Sequence, residues 1–62
     1  MEVSAVLEKR RQERGITVAE LSRRTDVNYD VLSRSLKGQT MPKGDQLLRL
    51  CKELNLEFAD FY

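Results

Sequence analysis

The chain has 62 residues, so it forms one small domain whose core must be built from few side chains. It contains one cysteine and no histidine, which excludes a disulfide framework, a zinc-ligand cluster and histidine-based acid–base catalysis. Without a glycine-rich phosphate loop or a recognisable catalytic pair of carboxylates, we expect no enzyme, no cofactor, no metal ion and no small-molecule ligand. No long apolar run or signal-peptide segment is present, so we expect a cytoplasmic protein with no membrane partner.

The charge of the chain is nearly balanced but unevenly distributed. The formal net charge is +1, which argues against a nonspecific polycationic binder. Residues 1–43 carry nine basic and six acidic side chains, whereas residues 44–62 carry two basic and four acidic ones. Taken alone, this pattern is explained slightly better by a solvated surface of mixed charge than by a functional basic face.

Two helices are predicted in the first 25 residues. The first runs from about residue 4 to residue 14, and Gly15 is placed to end it in a left-handed conformation. The second begins at Thr17 and ends near Arg24. The spacing of Thr17 and Glu20 predicts a capping box, in which the hydroxyl accepts from a first-turn amide and the carboxylate reaches back.

A turn at Asp26 leads into a third helix, which Asn28 caps and Gly38 ends. Its apolar face consists of Val31, Leu32 and Leu36. Its opposite, polar face consists of Tyr29, Asp30, Ser33, Arg34 and Lys37. Residues 17–38 therefore predict two short helices joined by a tight turn, with a polar and partly basic stripe facing outward on the second.

A fourth helix is predicted from Gly44 to Glu53 and Asn55 is expected to end it in a left-handed conformation. The fifth predicted element is a last short turn that begins at Glu57. Apolar residues recur along the fourth helix at Leu47, Leu50, Cys51 and Leu54. This spacing predicts the central wall of the core, with Cys51 as a small core residue and not a nucleophile. Three of the four aromatic residues lie in the last five positions, so this end forms either a lid on the core or an interface.

The order of these elements matches a known family. From Leu7 to Tyr62 the chain resembles the Cro/CI-type helix-turn-helix domains of phage and plasmid repressors and other small bacterial transcriptional regulators. The matching positions are Arg11, Gly15, Thr17, Glu20, Leu21, Ser22, Val27, Leu32, Gly38, Pro42, Leu47, Leu50, Leu54, Asn55 and Leu56. The resemblance implies an all-α, compact, five-helix lambda-repressor-like domain over residues 1–62, with the helix-turn-helix at about residues 17–38.

Three positions depart from the family pattern. Val18 stands where many members have a glutamine that binds a phosphate and supports a base contact, so that clamp is missing. Asp26 stands where the family often has glycine, at a small cost in backbone strain. Leu36 stands where an acid often pairs with the arginine matched by Arg11, so Arg11 is expected to be free for phosphate, solvent or another partner.

The resemblance implies that the third helix enters the major groove of double-stranded DNA. In this docking mode the start of the helix reaches base edges, while flanking groups hold phosphates. The expected base-reading residues are Asn28, Tyr29, Asp30, Ser33 and Arg34. The expected phosphate-binding residues are Arg10, Thr17, Lys37, Gln39, Thr40 and Lys43. A solvated helix face is the alternative for all of them.

Arg34 and Asp30 are expected to affect DNA binding in opposite ways. Arg34 can donate two hydrogen bonds to guanine, or its position late in the helix can direct it to a phosphate. Asp30 is repelled by the DNA backbone unless it accepts from cytosine or orients Tyr29 or Arg34.

The leading interpretation is a sequence-specific DNA-binding transcriptional regulator of the repressor type. Because one helix contacts few base pairs, a homodimer on a two-fold operator is expected. The candidate dimer residues are Phe58, Phe61 and Tyr62 with neighbouring residues of the fourth helix, and core packing is the alternative for Phe58 and Phe61. The second interpretation is a protein-interaction module of the same fold that antagonises another regulator or neutralises a toxin, in keeping with the low charge, Val18 and Asp30.

Overall fold

The computed structural model describes residues 2–61, except for the side chain of Phe58. The elements are α1 (Val3–Glu13), α2 (Val18–Thr25), α3 (Tyr29–Leu36), α4 (Gly44–Leu54) and a 3-10 turn (Phe58–Phe61). Over residues 2–61 the domain is all-α, with four helices and no strand. The predicted count of five helices is not confirmed, because the predicted last short turn is a 3-10 turn of four residues, too short to nucleate an α-helix. No helix within residues 2–61 is long and apolar enough to cross a membrane.

The starts of α2 and α3 are held by the predicted capping residues. The Thr17 hydroxyl accepts from the Glu20 amide at 3.1 Å, and the Asn28 side chain accepts from the Asp30 amide at 2.9 Å. The second half of the predicted capping box is wrong. The Glu20 carboxylate turns instead to Arg23 and Arg24, because a charged guanidinium is a stronger partner than a neutral amide.

The left-handed residues predicted at the helix ends are confirmed. Gly15, Asp26, Gly38 and Asn55 have φ values of 66°, 57°, 79° and 56°. At Gly38 there is also little room for a larger residue, since a Cβ there would lie 3.0 Å from the side-chain oxygens of Glu2 and Ser4. The end of α3 therefore packs closely against the start of α1.

A single cluster of apolar side chains forms the core. Its buried members are Leu7, Ile16, Leu21, Val27, Leu32, Leu36, Leu50 and Leu54. The backbone of α1 lies close to those of α3, α4 and the 3-10 turn, and the backbone of α2 lies close to those of α3 and α4, whereas the backbones of α3 and α4 lie farther apart. α1 and α2 therefore support α3 from behind and leave its outer face open.

Cys51 lies at the edge of this core and is only half-buried. Burial raises the pKa of its thiol, and the negative charge of Asp60 adds to the effect. Little thiolate therefore forms at neutral pH, which fits a packing residue better than a nucleophile.

Candidate nucleic-acid interface

The turn between α2 and α3 is held by side-chain hydrogen bonds as well as by backbone conformation. Asp26 adopts the left-handed conformation, and the next residue, Val27, is buried in the core. The Ser22 hydroxyl donates to the Val27 carbonyl, and the Thr25 hydroxyl donates to the Leu21 carbonyl at 2.7 Å. These contacts fix the direction in which α3 leaves α2.

α3 separates an inner apolar face from an outer polar one. Leu32 and Leu36 are buried, and the small Ser35 between them is buried too, with its hydroxyl donating to the Val31 carbonyl at 2.9 Å. On the outer face Tyr29 is 55% exposed and the side chain of Arg34 is 60% exposed. The expected base-reading residues Asn28, Tyr29, Asp30 and Arg34 are all exposed, and Ser33 is half-buried.

Arg34 and Asp30 form an ion pair on the outer face. Their closest charged atoms are 3.0 Å apart, one helical turn apart along α3. Because both side chains are exposed, such a pair contributes only a few tenths of a kcal/mol. Arg34 is thus held only weakly near the helix surface.

Asn28 has less freedom than the other residues of this face. Its side-chain oxygen accepts from the amides of Asp30 and Val31, at 2.9 and 3.3 Å. Only its amide nitrogen then remains to donate. While it caps α3, Asn28 cannot make the two-bond contact to adenine, which needs both the oxygen and the nitrogen.

The loop that follows α3 carries most of the expected phosphate contacts. Lys37, Gln39, Thr40 and Lys43 are all exposed. The loop is tied to the end of α3, because the Gln39 amide donates to the Arg34 carbonyl at 2.9 Å, and it is anchored to the core by the buried Pro42. Thr17, the residue that caps the start of α2, is also exposed, and its hydroxyl keeps a proton to donate.

Family comparison identifies the motif to which this geometry belongs. The family model for the Cro/C1-type HTH DNA-binding domain matches residues 6–62. The chain belongs to this family. No curated protein and no solved structure matches it significantly. The match includes α2 and α3 as well as the helices that support them, so the chain is a helix-turn-helix DNA-binding regulator domain.

Arg10 of this Cro/C1-type HTH domain lies away from the outer face of α3. Its guanidinium donates to the carbonyls of Leu54 and Asn55, both at 3.0 Å, and faces Asp60 at 3.7 Å. The expected phosphate role of Arg10 conflicts with this geometry, because its donors already satisfy the end of α4. A helical projection of α1 places Arg10 outside the apolar stripe but does not show which element packs beside it.

Of the alternatives expected for Arg11, namely phosphate, solvent or another partner, the structure shows another partner within the chain. Two of its nitrogens donate to the Glu8 carboxylate at 2.8 and 2.7 Å, and a third donates to the Ile16 carbonyl at 2.7 Å. The hydrogen bond from Arg11 lowers the pKa of Glu8, more than partial burial raises it. In this Cro/C1-type HTH domain the acidic partner of Arg11 comes from its own helix and not from α3.

The expected dimer residues are only partly within the described part of the chain. Phe61 is half-buried and packs against the core, whereas the side chain of Phe58 and residue Tyr62 lie outside the described residues. The large apolar side chain that is most exposed on α4 is Leu48, at 73%. The predicted interface included neighbouring residues of the fourth helix without naming Leu48, although its position one residue after Leu47 already turns it away from the core stripe.

Proposed function

We propose that this domain represses transcription by binding a two-fold operator as a homodimer, with α3 of each copy in the major groove. The observation that carries the proposal is the outer face of α3. Its side chains project from a helix whose inner face is fixed in the core, and no strong intramolecular contact occupies Tyr29 or Arg34. A helix can read base edges when it is held rigidly and its hydrogen-bond donors are exposed, and α3 meets both conditions.

Arg34 is the proposed main base contact. Two donors of its guanidinium match the O6 and N7 acceptors of guanine, a contact that discriminates by about 1–3 kcal/mol. The ion pair with Asp30 keeps the guanidinium close to α3 before DNA arrives. Tyr29, at the first position of α3, packs on a thymine methyl or donates to a phosphate.

The proposed phosphate contacts flank α3 and do not include Arg10. They are Thr17, Lys37, Gln39, Thr40 and Lys43, all exposed. Lys37 and Lys43 each release about one condensed counterion on binding, so each contributes about one unit to the salt dependence. These residues position the domain and do not read the sequence.

The proposal of a homodimer follows from the length of α3. Eight residues extend about 12 Å, which covers only a few base pairs. Two copies on half-sites about 34 Å apart, one turn of DNA, give a site long enough for useful specificity. The domain then needs no further activity to repress transcription, because the bound dimer prevents other proteins from binding the operator.

Fluorescence anisotropy with a palindromic duplex from the region upstream of the gene tests the proposal. We expect binding that weakens steeply with salt, and a loss of about 100-fold or more in the Tyr29→Ala, Arg34→Ala double variant. Lys9→Ala is the matched control, since it removes an exposed positive charge beside the 3-10 turn, and it should bind nearly as the wild type does. Unchanged binding by a folded double variant would remove α3 from the mechanism.

The second candidate is a protein-interaction module that uses the same face. The ion pair between Arg34 and Asp30 makes part of this face nearly neutral, which suits a protein partner better than it suits DNA. Selection of duplexes from a random library separates the two candidates. A single enriched half-site, repeated with two-fold symmetry, supports the operator, whereas no enrichment supports the protein partner.

A further inference from the structure

One side of α4 presents an apolar surface that is separate from the outer face of α3. Beside the exposed Leu48, a groove of about 560 Å³ lies between α4, the start of α1 and the 3-10 turn. Apolar side chains line most of it, namely Val3, Leu47, Cys51, Leu56 and Phe61. None of these residues lies on α3 or in the loop that follows it, and the backbones of α3 and α4 do not approach each other closely. Both surfaces can therefore be occupied at once.

The charges on α4 are arranged symmetrically about Leu48. Asp45 precedes Leu48 by three residues and Lys52 follows it by four, and both are exposed. With 3.6 residues per turn, they lie on the same side of Leu48, rotated by about 60° and 40° and displaced by about 4.5 and 6 Å in opposite directions. Gly44 and Cys51 occupy equivalent positions on the other side of Leu48.

We propose that this surface of α4 is the contact between two copies of the chain, packed antiparallel about a two-fold axis at Leu48. The proposal rests on the homodimer of the proposed function and names its interface. In this arrangement Asp45 of each copy faces Lys52 of the other, so the two copies form two opposite-charge contacts. In a parallel arrangement, Asp45 of one copy would lie at the same height as Asp45 of the other, and the same would hold for Lys52. Charge complementarity therefore favours the antiparallel pair.

The steric features of α4 are self-complementary in the same arrangement. The two Leu48 side chains meet at the axis beside the apolar groove. A Cβ at Gly44 would have no heavy atom within 4 Å, so the space around it is open, and it faces Cys51 of the second copy. Phe61, one of the predicted interface residues, forms a wall of the groove instead of a projecting contact.

The size of this surface sets how tightly the copies associate. An 11-residue helix and the edge of one groove form a smaller contact than the roughly 1,600 Å² typical of stable complexes. The dimer is therefore weak in solution, and an operator that binds both copies completes it.

Sedimentation equilibrium without DNA, at concentrations up to about 1 mM, tests the contact, since a complex with a millimolar dissociation constant is substantially formed there. We expect a reversible monomer–dimer equilibrium for the wild type and a monomer for Leu48→Glu. Tyr29→Glu is the matched control, because it changes an exposed large apolar side chain on α3, and it should dimerise normally. A wild type that remains monomeric, or a Leu48→Glu variant that dimerises like the wild type, overturns the proposal.

A charge exchange tests the antiparallel geometry independently of Leu48. Asp45→Lys should weaken dimerisation by about 3- to 30-fold, and the Asp45→Lys, Lys52→Asp double variant should restore it. Both variants lose the 3.3 Å pair between Asp45 and Arg49 within α4, so that loss cannot explain a difference between them. No restoration in the double variant overturns the antiparallel arrangement.

Two DNA duplexes separate this proposal from the proposed function. Leu48→Glu should bind a duplex with one half-site like the wild type and bind the two-fold duplex at least about 10-fold more weakly. Tyr29→Glu should lose binding to both. If Leu48→Glu also loses the single half-site, the assignment of α4 to dimerisation is overturned. If the wild type dimerises through α4 but binds no DNA, the proposed function fails while the α4 contact stands.

Discussion

Arg11 and Arg34 each pair with a carboxylate on their own helix, but the two regions use the arginine differently. The Arg11 side chain is 16% exposed, donates twice to Glu8 and also donates to the Ile16 carbonyl. The Arg34 side chain is 60% exposed and faces one carboxylate, that of Asp30. Arg11 on α1 therefore helps to hold the fold together, whereas Arg34 on α3 stays exposed because only a weak, solvated contact holds it.

The largest expected effect comes from removing the α1 arginine. Arg11→Ala removes the side-chain donor of the Ile16 carbonyl and leaves the Glu8 carboxylate with Gln12 alone, so we expect a loss of about 2–3 kcal/mol in the free energy of unfolding. Arg34→Ala, the matched variant on α3, should change stability by no more than about 0.5 kcal/mol. Urea unfolding followed by circular dichroism measures both values. Equal losses of unfolding free energy in the two variants would show that the arginines of the two regions contribute equally to stability.

The pH dependence of stability gives a smaller but more specific effect. Because Arg11 lowers the pKa of Glu8 in the folded state, the ionised carboxylate stabilises folding above its unfolded pKa of about 4.3. This contribution is lost as the pH falls through the lower, folded-state pKa. Glu8→Gln should therefore be less stable than the wild type by about 1 kcal/mol at pH 7, and the difference should shrink in acid.

Urea unfolding at pH 7 and near pH 3 measures this difference. Glu13→Gln serves as a control, because its carboxylate is exposed and 3.5 Å from Arg10. A deficit in Glu8→Gln that is the same at both pH values would show that the charge of Glu8 does not contribute to stability.

The smallest expected effect on stability comes from Asp30→Asn on the outer face of α3. Loss of the exposed pair with Arg34 should cost less than about 0.5 kcal/mol. Binding to nonspecific DNA should tighten by up to about 5-fold, since a charge that repels phosphate is removed. Anisotropy on nonspecific and selected duplexes measures both affinities. Weaker binding to the selected duplex alone would indicate that Asp30 reads a base.

The helix ends and the division of α3 into two faces could be predicted from the sequence because they depend on local preferences. A left-handed φ at Asp26 or Asn55 and a side-chain cap at Asn28 involve only the residue and its nearest neighbours along the chain. The buried positions of Leu32 and Leu36 follow in the same way from helical periodicity.

The partners of charged side chains could not be predicted in that way. Arg10 donates to residues more than 40 positions away, at the end of α4, so its role depends on how α1 packs on α4. Glu20 had a plausible local role in a capping box, but two arginines within one turn compete more strongly for its carboxylate. Several partners lie within reach of a long charged side chain, and small differences in energy choose among them.

By itself the sequence determined the four helices, their ends, the inner and outer faces of α3 and the family to which the chain belongs. Each of these depends on residue type and short-range spacing. Only the tertiary structure decided which arginines remain exposed and which side of α4 stays uncovered around Leu48. The reason is physical: whether a side chain is exposed or hydrogen-bonded depends on which elements pack beside it, and a single helix carries no information on its neighbours.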